Sequence, residues 1–298
     1  MSTRVSLSPA GAIGKIFRSF SEAGRKYGVE WWILIAGIVI ILAVAYIAFF
    51  PQTLAPYDPL DQNAGPQLGA PSASHPMGTD NLSRDVLSRT LYGSRTILGV
   101  AFAAALVSSL IGIPLGLLSG FVGGVLDRVI SLIMDSLYSF PGLILAIAFA
   151  AMLGPGVVNI TLAVAVIYIP TYFRLVRGQT LSVKEEVYVE AARALGARRP
   201  AIMWRYIFPN VIASVVVVFS LNIADAIMTE AALSYIGLGL PAGIPDWGMD
   251  IAMGKKFLPS GAWWMITFPG LMIVILALGF TMLGEGLAEI LNPRLLER

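Results

Sequence analysis

Cysteine is absent from the chain, and histidine occurs once, at His75. The first absence excludes a disulfide framework and thiol chemistry. The second leaves no set of ligands for a histidine-based metal cluster. Charge is scarce too. Asp, Glu, Lys and Arg make up 13% of the residues and the net charge is +2, too small to point to nucleic acid. The phosphate-binding loop of nucleotide hydrolases is also missing. Gly14-Lys15 and Gly254-Lys255 both lack the upstream glycine and the following Ser or Thr.

What fills the chain instead is apolar. With 57% hydrophobic residues and a mean hydropathy of +0.78, the 298 residues carry more apolar surface than a soluble domain can hide. A polytopic membrane protein can expose that surface to lipid. The expected fold is all-α, with six transmembrane helices from residue 31 to 298 behind a basic segment, 1–30. The uncharged run Trp31 to Phe50 is 20 residues long, enough to cross ~30 Å of hydrocarbon. It is too long for a signal-peptide core, and no A-x-A site follows before Pro56, so it reads as an uncleaved first span.

Residues 51–95 form a long extramembrane loop, with a helix start expected at Asp80 or Asn81. Thr96 to Leu126 is uncharged and carries Gly112, Gly116, Gly120 and Gly124 on one face. Close helix packing explains that stripe better than a hinge at Pro114. Asp127-Arg128 reads as a short turn. The 38 uncharged residues from Ser136 to Phe173 then need two spans, divided at Gly154-Pro155-Gly156. A fifth span starts near Val211. A loop over 231–262 follows, and the last span runs from Trp263 to about Gly284.

One charged segment interrupts this pattern, at about 178–210. Val183, Val187, Ala191 and Leu195 form an apolar stripe, with Glu185, Glu186, Glu190 and Arg193 off it. Gly196 stands where a left-handed cap would end the helix. Pro200 can open a second helix, and Pro209 is expected to end or kink it.

Glu190-Ala191-Ala192, Gly196 and Ile207-Phe208-Pro209 together resemble the EAA loop of bacterial ABC-importer permeases. The resemblance implies a type I importer permease fold. It also implies that Glu190, Ala191, Ala192, Arg193 and Gly196 dock a cytoplasmic ATPase, the small residues seating the helix in a groove. The blocks around residues 75–95 and 230–240, with Trp247-Gly248 and the block at 291–295, are similar to C-type permeases of dipeptide, oligopeptide and nickel importers. Such a chain is no enzyme and binds no cofactor; ATP and Mg are used by the partner ATPase. Its implied partners are a homologous second permease, two ATPase subunits, an extracytoplasmic solute-binding protein and the lipid bilayer. Its implied place is the bacterial inner membrane, and its implied cargo is peptides, with nickel chelates or glutathione as the alternative. A secondary transporter would not need the charged helical loop, and an intramembrane protease is disfavoured because the only histidine lies in an outer loop.

Charge sets the expected orientation. Lys and Arg number fifteen on the side of the termini and the charged loop, against five on the other, so the termini are expected in the cytoplasm. Polar residues within the bilayer mark a candidate translocation path. Asn222, Asp225 and Thr229 share one helix face, Glu230 lies nearer the outer end, and Asp135 is a second buried candidate. Trp247 is expected to fold its loop back over the pore mouth or to meet the binding protein, with a cysteine at 247 reachable from outside. Trp263-Trp264 read as anchors at the headgroup level.

Overall fold

A computed structural model describes residues 28–291 except 242; the basic segment up to residue 27 and residues 292–298 lie outside the described residues. Nine helices organise what is described: α1 (Val29–Phe49), α2 (Val86–Val122), α3 (Gly124–Tyr138), α4 (Gly142–Leu153), α5 (Val157–Val183), α6 (Val187–Ala194), α7 (Arg199–Ile236), α8 (Trp247–Phe257) and α9 (Trp264–Ile290). Helices α1, α2, α5, α7 and α9 are each long and apolar enough to cross a membrane. The pair α3 and α4 is together long and apolar enough to count as a sixth candidate span, bent by 91° at residues 139–141. The break coincides with Pro141, which cannot donate a helical N–H and disfavours a helical residue before it.

Two boundaries differ from the sequence expectation. The turn before α3 lies at Gly123-Gly124, both at positive φ, so Asp127 and Arg128 are helical. The cap of α2 is Asp85, whose carboxylate accepts from the Ser88 N–H and hydroxyl, each at 2.8 Å. Asp80 instead closes a local turn, accepting from the Leu82 and Arg84 N–H groups. Helix α2 has 37 residues, ~55 Å at 1.5 Å per residue, so it outreaches the hydrocarbon. Its first turns stand in an extramembrane cap.

The bundle is built on the α2–α5 seam. A Cβ at Gly112 would lie 2.7 Å from the Ile169 carbonyl, one at Gly116 2.7 Å from that of Phe173, and one at Gly120 2.8 Å from Thr180 Cβ. Only hydrogen fits at these three positions, so the glycines serve close packing. Gly124 lies past the helix end and meets nothing. Around the seam, Ile97 and Ala104 of α2, Val164 of α5, Ile227 of α7 and Leu276 of α9 are buried in one core.

The loop 51–85, α8 and the start of α2 form the cap. His75 Nδ1 lies 2.9 Å from Asp85, and Arg84 pairs with Asp80 at 2.6 Å. Arg89 reaches Asp250 of α8 at 2.6 Å and the Pro59 carbonyl at 3.2 Å. Trp247 opens α8 and is fully buried, so it folds back onto α2 and offers no surface for labelling. Trp264 is buried as well and donates to the Thr79 carbonyl at 3.0 Å, so it staples the loop; its neighbour Trp263 is exposed.

Candidate functional site

The charged loop folds as expected in outline and differently in its facing. Helix α6 is short, and Gly196 ends it at φ 82°. The Gly196 N–H donates to the Arg193 carbonyl and the Ala197 N–H to that of Ala192, both at 3.0 Å. The second bond reaches back five residues, the pattern of a glycine-terminated helix. Pro200 stands in the first turn of α7. Pro209 does not end that helix. Residues Ile202–Ile207 are π-helical, and Pro209 follows in the first turn of the α-helical continuation, where its missing N–H is tolerated.

Two residues of α6, Val189 and Ala192, are buried, and Val189 joins Ile202, Ile207 and Val211 in one core. The stripe Val187, Ala191 and Leu195 points the other way, with Val187 79% and Leu195 89% exposed. Glu190, Arg193 and Gly196 are exposed beside it. Ala192 therefore packs inward, while Ala191 stands on the open face. Beneath α6, Arg193 and Arg199 line a cleft of about 310 Å³ with Phe121 and Ile202. The loop is tied to the bundle from below. Lys184 Nζ donates to the Gly120 carbonyl at 3.1 Å. Arg177 grips Asp127 through Nε at 2.5 Å and Nη2 at 2.7 Å, and Ser119 also donates to that carboxylate. The paired geometry fixes α3 against α5 at the end of the bundle next to the charged loop.

Across the bundle, a second cleft of about 370 Å³ opens where α3 and α4 break. Tyr138, Phe140, Tyr168, Thr171 and Thr229 line it. The Tyr168 and Thr229 hydroxyls are 3.0 Å apart. Thr229 is thus the one member of the polar stripe that borders this cleft; Asn222 is buried and Asp225 is exposed on the chain's surface. Glu230 is fully buried and turned elsewhere. Ser234 Oγ is 3.1 Å from its Oε1 and 3.3 Å from Asp246 Oδ2, which links α7 to the cap. Asp135 is exposed, not buried, and pairs with Arg174 at 2.7 Å, whose guanidinium stacks 3.8 Å over Tyr138.

Tyr168, Thr171 and the break at Pro141 were not marked in the sequence as parts of a site. Uncharged mid-span residues look like any core, although Phe140-Pro141-Gly142 was a readable break signal. Among the described residues no cluster of His, Asp or Glu could hold a metal ion.

Comparison with known proteins places the chain in a family. Residues 112–297 match the family described as binding-protein-dependent transport system inner membrane component. The glutathione transport system permease protein of Pectobacterium atrosepticum is 41% identical over 275 residues, covering 92% of this chain and 91% of that one. The dipeptide transport system permease protein of Alkalihalophilus pseudofirmus is 38% identical over 261 residues, with 88% and 86% covered. The probable D,D-dipeptide transport system permease protein of Escherichia coli is 38% identical over 260 residues, with 87% of each chain covered.

Proposed function

The chain belongs to the binding-protein-dependent transport system inner membrane components, and from that membership we propose that it forms one half of the translocation path of an ATP-driven peptide importer. It is a multi-pass membrane subunit with a transport role. Dipeptides or oligopeptides are the cargo in this reading, and glutathione is a peptide of the same class; names of relatives carry both. ATP and Mg are used by separate ATPase subunits, and a second permease chain completes the path. The termini and α6 face the cytoplasm, and the cap faces a solute-binding protein.

The observation that carries the reading is the two-sided α6. Val189 and Ala192 lock the helix onto the bundle, and Val187, Ala191 and Leu195 remain uncovered beside Glu190 and Arg193. An apolar stripe rimmed by charge on an eight-residue helix is the kind of surface a partner's groove covers. ATPase closure would then act as a lever on α7 and α5, through the shared core of Ile202, Ile207 and Val176. The exposed Asp225 supports a second chain packed over that face of α7. A carboxylate at that depth is costly toward lipid and is stable facing protein or a wet path.

The test is assembly. Ala191→Trp adds bulk to the open face, whereas Ala192→Trp would disrupt the chain's own packing. Co-purification of the ATPase subunits with Ala191→Trp and with Gly196→Val should fall to background while the chain itself inserts and purifies. Normal recovery of ATPase with both variants would remove the docking assignment.

A further inference from the structure

A third recess lies away from both clefts, on the flank of the bundle where α1, α2 and α9 meet. It encloses about 470 Å³ between Ile41 and Phe49 of α1, Arg95, Gly99 and Phe102 of α2, and Phe280 of α9. Its existence traces to one residue. A Cβ at Gly99 would meet nothing within 4 Å, so the wall of α2 is cut back there and α1 does not fill the space. From Arg95 to Phe102 the trough runs ~10 Å along the helix at 1.5 Å per residue.

Arg95 stands at the capped end of this trough. It is the last charged residue before the uncharged run from Thr96 to Leu126, so it marks the level at which hydrocarbon begins. Its side chain is exposed and makes no hydrogen bond or ion pair among the described residues. Every other residue bordering the trough is apolar, and no carboxylate is among them. A trough of this lining rejects water, and an empty one forfeits the dispersion contacts of its walls. The occupant must therefore be apolar along its length and anionic at one end. The guanidinium fork matches phosphate oxygens two at a time. With no acid beside it, the trough offers nothing to an ammonium headgroup, which favours a net negative lipid over a zwitterion.

We propose that this trough holds one anionic phospholipid from the leaflet at the capped end, its phosphate on Arg95 and one acyl chain along Gly99 and Phe102. The lipid fills the seam between α1 and α2 and completes the packing of the first span. This assignment needs the membrane-spanning bundle and does not depend on the cargo or on ATPase docking.

The experiment uses the assembled complex in nanodiscs, with p-benzoylphenylalanine replacing Phe102 and irradiation followed by mass spectrometry. In phosphatidylglycerol nanodiscs a lipid adduct should form. In phosphatidylcholine it should be about tenfold weaker, as loss of a charge-assisted contact implies. Arg95→Gln should reduce the phosphatidylglycerol adduct by a similar factor. Gly99→Phe should abolish it, since the added ring occupies the trough without a clash in the backbone. Equal adducts with both lipids, unchanged by Arg95→Gln, would reduce the trough to unselective lipid contact and overturn the proposal. A crosslink to a polypeptide would overturn it as well, and would make this flank a subunit interface.

Discussion

The indole Nε1 of Trp247 donates a 2.8 Å hydrogen bond to the carbonyl of Thr90, 157 positions earlier in the chain. The ring lies against Gly93, where a Cβ would come within 2.7 Å of it. One buried side chain thereby joins the cap helix α8 to the first turns of α2. Replacing Trp247 with Ala should cost about 3–5 kcal/mol, the usual range for a large aromatic removed from a core. Phe in its place keeps most of the burial and should cost about 1 kcal/mol for the lost bond, plus a small cavity. Thermal unfolding of the purified complex checks both. A cysteine at 247 should resist an impermeant maleimide that labels one at the exposed Lys256.

Arg89 and Asp250 form the second clamp of the cap. Burial pushes the Asp250 carboxyl up, and the Arg89 guanidinium opposes that rise. In Arg89→Gln the opposition is gone, and the carboxyl is held higher still. A carboxyl raised in the folded state binds a proton there that the unfolded chain has released. Its contribution to stability is therefore present at low pH and lost as pH rises through the folded value. The variant should lose about 3–5 kcal/mol at neutral pH and less in acid. A loss independent of pH between 5 and 8 would assign the effect to Arg89 and the Pro59 carbonyl instead.

Glycine should behave in opposite ways at two positions of the α2–α5 pair. Gly116 faces the Phe173 carbonyl at packing distance, so Gly116→Val should force the helices apart and abolish recovery of folded chain. Gly178 lies exposed within α5 with nothing near its missing Cβ. Gly178→Ala should stabilise by about 0.5–1 kcal/mol, through helix propensity alone. Unfolding temperatures of the two variants separate the cases.

Asp225→Asn keeps shape and hydrogen bonding and deletes the charge. If the carboxylate borders the path, the complex assembles normally and uptake of a peptide with a free amino terminus slows more than uptake of its N-acetylated analogue. Equal slowing of the two peptides assigns Asp225 a structural role.

Much of this arrangement was legible from local pattern. Apolar run length marks the spans, the four-residue glycine steps mark the α2–α5 seam, and Gly196 marks the end of α6, because each signal is set by residues near in sequence. What was not legible depends on the opposite side of a contact. Helix α6 is apolar on two faces, Val187-Ala191-Leu195 and Val189-Ala192, and only the position of Ile202 and Ile207 decides which is buried. Trp247 and Trp264 looked alike as aromatic residues near a membrane surface, and each is buried by a partner more than 150 positions away. Tyr168 and Thr171 carry no charge, so nothing distinguished them from core until the break between α3 and α4 opened a cleft beside them; Thr229 was marked only by its spacing from Asn222 and Asp225.

The central claim, that this chain moves cargo only as part of an ATP-driven assembly, is tested most directly by uptake of a labelled dipeptide into proteoliposomes. The purified chain alone, with or without an imposed proton or sodium gradient, should give no uptake. Adding the second permease, the ATPase subunits, the binding protein and ATP on the side of α6 should restore it, and Ala191→Trp should abolish it again. Gradient-driven uptake by the chain alone would contradict the account and make it a secondary transporter.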